Sequence, residues 1–173
     1  MTSALPPTAG APHIGVIGPG GANPEESALA RRVGELLAGH GAVLLCGGLG
    51  GVMEAAAAGA RSRGGITVGL LPGPDRTRGN PHLTVALATG LGELRNGLLV
   101  RACDALIAVG GSWGTLSEVA LAVRVGKPVV SLAGWSLPDA PADAGLVRAA
   151  TPEEAVAAVL SGRHGRVGGR PPQ

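Results

Sequence analysis

Short, continuously apolar runs recur along the chain, and each is followed by a turn and then, in most cases, by a longer amphipathic or alanine-rich stretch. The first run, residues 13–18 (H-I-G-V-I-G), has the length and β-branching of a buried strand. Residues 19–23 form a glycine-rich turn. Pro24 suits the first position of a helix, and Glu25 and Glu26 suit its first turn. That helix is expected to run to about Ala38, closed by Gly39 and Gly41. The cycle repeats with a strand at 42–46, the turn G-G-L-G-G at 47–51 and a helix at 52–63. A third strand at 66–71 stops at Pro72, and residues 73–81 (G-P-D-R-T-R-G-N-P) read as a loop. A short strand at 84–88, a helix at 91–101 and a strand at 105–109 follow. The turn at 110–114 opens a helix at 116–125, for which Thr115 is the expected cap. Gly126-Lys127-Pro128 stops that helix and feeds a strand at 129–132. A last strand at 146–149 precedes a helix capped by Thr151, with Pro152 at its first position.

Continuously apolar strands alternating with helices call for a parallel sheet covered on both faces. The expected fold class is therefore α/β: one doubly wound, Rossmann-like domain over residues 13–161. Residues 1–12, rich in Pro, Ala and Thr, and the basic, glycine-rich residues 162–173 are expected as disordered tails. In such sheets ligands bind beyond the carboxyl ends of the strands, where strand order reverses. Three glycine-rich turns follow strands and open on that edge. Gly18, Gly20 and Gly21 lie in the first, Gly47, Gly48 and Gly51 in the second, and Gly110, Gly111 and Gly114 in the third. The third turn leads into a helix whose free N–H groups form an anion site, with Glu118 expected in its first turn.

Composition narrows the picture. The chain has 173 residues, net charge +2, 2 Trp and neither Phe nor Tyr. A core of small aliphatic residues lets helices sit close to a sheet but buries little area per residue, which favours self-association. The arginines are dispersed, without aromatic platforms, so no nucleic-acid partner is expected. Cys46 and Cys103 form no C-x-x-C pair and read as reduced core thiols of a cytoplasmic protein. No apolar run approaches a membrane span and no leader pattern is apparent, so no membrane partner is expected.

Several chemistries are disfavoured by what is missing. A dinucleotide fingerprint needs G-x-G-x-x-G after the first strand; Gly18 and Gly20 match, but Asn23 stands in the third glycine's place. The acid required after the second strand is replaced by Cys46-Gly47. A phosphate-binding loop of the Walker type needs lysine, and the only lysine is Lys127, outside every glycine-rich turn. The four histidines are scattered, so no metal site and no required cofactor are expected.

The stretch from Arg95 to Glu118 reads R-N-G-L-L-V-R-A-C-D-A-L-I-A-V-G-G-S-W-G-T-L-S-E. It resembles the LOG-like (lysine-decarboxylase-like, SLOG) Rossmann superfamily, with R-K-x-x-M-x-x-x-x-D followed by P-G-G-x-G-T-x-x-E. The second turn, G-G-L-G-G-V-M, is similar to that group's G-G-x-x-G-x-M and adds Met53. Two departures stand out: Asn96 replaces the lysine, and Ser112-Trp113 occupy the space of one residue. The R-N pair and the run G-T-L-S-E-V-A-L-A-V-R-V-G-K-P-V resemble the molybdenum-cofactor carrier protein-like branch.

The resemblance implies a homodimer or larger assembly and a site for a phosphorylated ligand, either a nucleotide or the molybdenum cofactor. It places Gly18, Gly20, Gly21, Gly47, Gly48, Gly51, Met53, Asn96, Gly110, Gly111, Ser112, Gly114 and Thr115 around that ligand. From the enzymatic branch it carries over Arg95 and Glu118 as catalytic residues cleaving the N-glycosidic bond of a nucleoside 5′-monophosphate. A carboxylate suits an oxocarbenium-like transition state, and a guanidinium suits a phosphate or ribose. Glu118 has a plain alternative, pairing with Arg95 to lock two helices, and Arg101 with Asp104 reads as a structural helix-end pair. Trp113 is either a loop anchor or a surface for a flat ring, and Arg76 and Arg78 are either solvated or close over an anion. Three functions follow: a carrier-like binding protein for a phosphorylated nucleotide or molybdopterin-like molecule, a phosphoribohydrolase, and a structural or interaction module.

Overall fold

Each apolar run becomes a strand and each longer periodic stretch a helix. The computed structural model describes residues 8–142 and 144–162. In chain order the elements are β1 (His13–Ile17), α1 (Pro24–Gly39), β2 (Val43–Cys46), α2 (Val52–Ser62), β3 (Thr67–Leu71), β4 (Val85–Ala88), α3 (Arg95–Ala102), β5 (Ala105–Val109), α4 (Trp113–Arg124), β6 (Val129–Leu132), β7 (Leu146–Ala149) and α5 (Pro152–Leu160). Single 3-10 turns occur at Arg76–Arg78 and Gly92–Leu94. The tails expected to be disordered lie largely outside the described residues.

All seven strands form one parallel sheet in the order β4-β3-β2-β1-β5-β6-β7. The chain steps outward from β1 to β4, then returns to the other side of β1 with β5. The switch point therefore lies between β1 and β5, paired at Ile14–Ala105 through Ile17–Ala108. The central strands are buried on both faces, which explains why they lack polar alternation. In β2, Leu44 and Cys46 enter the core under α1, α2 and α5, whereas Val43 and Leu45 enter the core under α3 and α4. The edge strands β4 and β7 are largely exposed.

Glycine decides how closely the first two helices approach. A Cβ on Gly34 of α1 would lie 2.0 Å from the Ala56 carbonyl oxygen, and one on Gly59 of α2 would lie 2.0 Å from that of Arg31. The two backbones thus touch, with Ala56 and Ala60 filling the remaining space. Lys127 caps α3: its Nζ donates to the carbonyls of Cys103 at 2.5 Å and Arg101 at 3.3 Å. Asp104 serves β1 rather than Arg101, its Oδ2 accepting from the His13 N–H at 2.8 Å.

Two helix starts differ from expectation. Residues 91–94 do not join α3, because Gly92 takes φ +56° and the chain makes a 3-10 turn instead. Helix α4 begins at Trp113 rather than Leu116, and its cap is Ser112, not Thr115. Ser112 is extended (φ −150°, ψ 167°) and its Oγ accepts from the Thr115 N–H at 3.1 Å. Serine caps as well as threonine and comes first in the chain, and the first helical turn tolerates Gly114. Glu118 therefore sits in the second turn of α4, not the first.

Candidate functional site

A cleft of about 350 Å³ opens at the switch point, over the carboxyl ends of β1, β2 and β5. Ile17 lines it from the end of β1, Gly18 and Gly20 from the first turn, Gly47, Leu49 and Met53 from the second turn and α2, and Pro72 from the end of β3. Gly92, Glu93, Arg95 and Asn96 come from the other side, and Ser112, Gly114, Thr115 and Glu118 from α4. Most of the expected ligand-binding residues thus share one space.

The glycines have different jobs. A Cβ on Gly18 would meet the Val109 carbonyl at 2.5 Å, so this glycine lets β1 and β5 end side by side. Gly51, at φ +64°, lies under the carbonyls of Pro19 and Gly20. A Cβ there would meet their oxygens at 2.3 and 2.5 Å, so its absence lets the first two turns lock together. Gly47 leaves room for Arg95 and Met53. Gly110, at φ +68°, accommodates the Glu26 carboxylate, and Gly111 accommodates Trp135. Gly20 and Gly21 have open space where a side chain would be, a Cβ on Gly114 would only touch Ser112 Oγ at 3.8 Å, and Gly20 and Gly114 face the cleft. Gly48 packs against Leu71 and Gly21 is exposed; like Gly51, Gly110 and Gly111, they are not among the residues lining the cleft.

The first turn also explains the broken dinucleotide fingerprint. Asn23 caps α1, its Oδ1 accepting from the Glu26 N–H at 2.8 Å while Glu26 accepts from the Asn23 N–H at 3.0 Å. This capping box occupies amides that a pyrophosphate would need, and adds a carboxylate beside them. Helix α2, in contrast, starts at Gly51 with no side-chain cap, and α4 presents Ser112 and Thr115, whose hydroxyls lie 2.8 Å apart at its first turn. The start of α4 thus brings two hydroxyls to the cleft at the positive end of a helix dipole.

At the inner end lie Arg95 and Glu118, both buried, with Nη1 3.7 Å from Oε1. Arg95 Nη2 donates to the Gly47 carbonyl at 3.4 Å, and Nη1 contacts Asn96 Oδ1. Its Nε is buried without a hydrogen-bond partner among the described residues. Burial pushes the Glu118 carboxyl up to about 7, and the nearby Arg95 charge only partly offsets that rise. The pair is thus a cation with an unused donor beside a carboxyl that titrates near neutrality.

Arg76 and Arg78 lie in the exposed 3-10 turn after β3, capped by the Asp75 side chain, and are not among the residues lining the cleft. Trp113 is 78% exposed on the first turn of α4 and packs edge-to-face on Trp135, with ring centroids 5.0 Å apart. Sequence reasoning overlooked Trp135, Glu93, Leu49 and Pro72. Only Trp135 carried a signal, as the sole other aromatic residue; the rest are brought in by strand order. Cys46 and Cys103 are free and buried, and burial pushes their thiols up to about 11 and about 12. Among the described residues no group of three or more His, Cys, Asp or Glu is set to hold a metal, and no helix is long and apolar enough to cross a membrane.

The model of one protein family, the SLOG cluster4 family, matches residues 11–156. The chain belongs to that family. An uncharacterized protein of Archaeoglobus fulgidus is 50% identical over 120 residues, 69% of this chain and 79% of that one. The molybdenum cofactor binding protein of Rippkaea orientalis has a similar structure, with TM-score 0.83 and 38% identity over 88% of this chain and 98% of that one. The molybdenum cofactor carrier protein of Chlamydomonas reinhardtii gives TM-score 0.77 and 35% identity, covering 87% and 97%. The resemblance carried by Arg95-Asn96 and the run after Gly114 thus holds, as does the doubly wound SLOG fold.

Proposed function

We propose that this SLOG cluster4 protein is a carrier-like binding protein for a phosphorylated small molecule, either a nucleotide or a molybdopterin-like compound. The observation that carries this reading is the convergence of Gly20, Gly47, Gly114, Ser112 and Thr115 on one cleft whose inner end holds Arg95, a buried cation with an unpartnered Nε. The phosphate would sit at the start of α4, where amides, two hydroxyls and the helix dipole favour an anion. The organic part would lie toward Ile17, Leu49, Met53 and Pro72, the apolar side of the cleft. A volume of about 350 Å³ suits a small ligand. The names of the two cofactor-binding neighbours add support for a carrier role.

A homodimer or larger assembly is part of the proposal. Leu94 and Leu98, exposed one turn apart around the start of α3, offer apolar surface that a second copy would cover, and the partly exposed Leu121 of α4 lies beside Gly97 of α3. The free, buried cysteines fit a reducing, cytoplasmic setting. A thermal-shift series with AMP, other nucleoside monophosphates and a molybdopterin preparation tests the binding reading. Ligand at a hundredfold its Kd raises stability by about 2.7 kcal/mol. No shift with any phosphorylated compound would refute it.

One observation favours a second reading, cleavage of a nucleoside 5′-monophosphate. A carboxyl pushed up to about 7, 3.7 Å from a buried arginine in a ligand-sized cleft, is poised for acid–base or electrostatic work. Free base released from AMP or an N6-substituted AMP, and lost in Glu118→Gln and Arg95→Ala, would support it. Absence of release by the unaltered chain counts against it.

A further inference from the structure

The arrangement of charge in the cleft has a consequence for how an anion binds. Glu118 projects from the second turn of the same helix whose first turn would receive the phosphate. Both turns open into the same cleft. Arg95, from α3, is the charged group that faces Glu118. The Cys103 thiol after α3 also senses Glu118, and it is neutral because burial pushes it up to about 12. Glu93, on the 3-10 turn before α3, lines the same cleft. The remaining elements supply Ile17, Gly18, Gly47, Leu49, Met53 and Pro72 there, none of them ionisable.

With Glu118 ionised, Arg95 is neutralised and the cleft, counting Glu93, presents a net negative lining to an anion. With Glu118 protonated, the Arg95 charge is available and the O–H becomes a donor. The Arg95–Glu118 contact is 3.7 Å, too long for a hydrogen bond, so the carboxyl is free to exchange that contact for a ligand. We infer that Glu118 is the proton-binding residue of this site: the phosphorylated ligand binds together with one proton, taken from solvent onto the Glu118 carboxyl. This rests on the phosphate-binding reading and extends it. The carboxyl, already held at about 7 by burial, is driven higher when a second anion enters the cleft. The proton is gained on binding and returned to solvent on release, so alkaline conditions favour release.

The experiment is isothermal titration of the full chain with AMP and with adenosine 5′-sulfate, in buffers of different ionisation enthalpy at pH 7.5. The sulfate ester does not titrate in this range, so its signal reports the protein alone. Wild type should take up a substantial fraction of a proton with both ligands, and its affinity should fall about tenfold from pH 6 to pH 9 for each further unit by which the ligand raises the carboxyl. Glu118→Gln should take up none with the sulfate ester and hold one affinity across that range, whereas Glu153→Gln, on the exposed face of α5 and outside the cleft, should behave as wild type. If Glu118→Gln does not fold, carbon-13 titration of the wild-type glutamate carboxyls with and without the sulfate ester gives the answer: the Glu118 midpoint must rise on binding. Binding without uptake, or equal uptake by Glu118→Gln, overturns this inference and leaves the phosphate reading standing. No binding of either compound at any pH overturns both.

Discussion

Replacing Glu118 by glutamine isolates the energetic role of the buried carboxyl in the folded protein. Glu118 is 7% exposed, and its carboxyl is held at about 7 against an ordinary value of 4.5. Its folded-state value is raised, so its contribution to stability is fully present below about pH 4.5 and is lost as pH rises through about 7. Each unit of displacement is worth about 1.4 kcal/mol, so ionised Glu118 costs the fold about 3 kcal/mol by pH 8. Glutamine resembles the neutral acid and leaves Arg95 its bonds to Gly47 and Asn96. Urea unfolding followed by far-ultraviolet circular dichroism should therefore give equal stabilities for the two proteins near pH 4.5. At pH 8 the variant should be more stable by about 3 kcal/mol. The alternative, in which the Arg95–Glu118 pair is a net stabilising lock between α3 and α4, has the opposite sign: the variant would be weaker at pH 8. That result, or a difference independent of pH, refutes the reasoning.

Three further outcomes follow from the packing. Ser112→Ala removes the α4 cap and should cost about 1 kcal/mol in urea unfolding, while Thr115→Val should leave that helix start capped; equal losses would restore Thr115 as the cap. Gly34→Ala places a methyl 2.0 Å from the Ala56 carbonyl oxygen and should destabilise by about 1–3 kcal/mol through forced separation of α1 and α2, read as a lowered Tm. Cys46 and Cys103, with thiols pushed up to about 11 and about 12, should resist iodoacetamide at pH 8 in the folded protein and react once urea unfolds it.

Much of the architecture was legible in one dimension. The central strands, buried on both faces, read as unbroken apolar runs, the exposed edge strands β4 and β7 read as short apolar runs bounded by turns, and helix-start residues such as Pro24, Thr151 and Pro152 carry their own local chemistry. The start of α4 was misplaced because two good caps, Ser112 and Thr115, lie three residues apart, and only the extended backbone at Ser112 chooses between them. For the same reason Glu118 moved from the first helical turn to the second, deeper in the cleft.

Residue type and spacing by themselves determined the α/β alternation and the three glycine-rich turns, and the family resemblance singled out Arg95 and Glu118 as a pair. Strand order lay beyond them, because nothing local says that β5 returns to the far side of β1. That return brings residues far apart in the chain, from Gly20, Gly47, Glu93 and Thr115, to one cleft, and it leaves the exposed Arg76 and Arg78 outside its lining. Burial was also decided only in three dimensions. A glutamate on a helix is ordinarily solvated, and it is the packing of α3 against α4 over the sheet that removes water from Glu118 and sets its proton near neutrality.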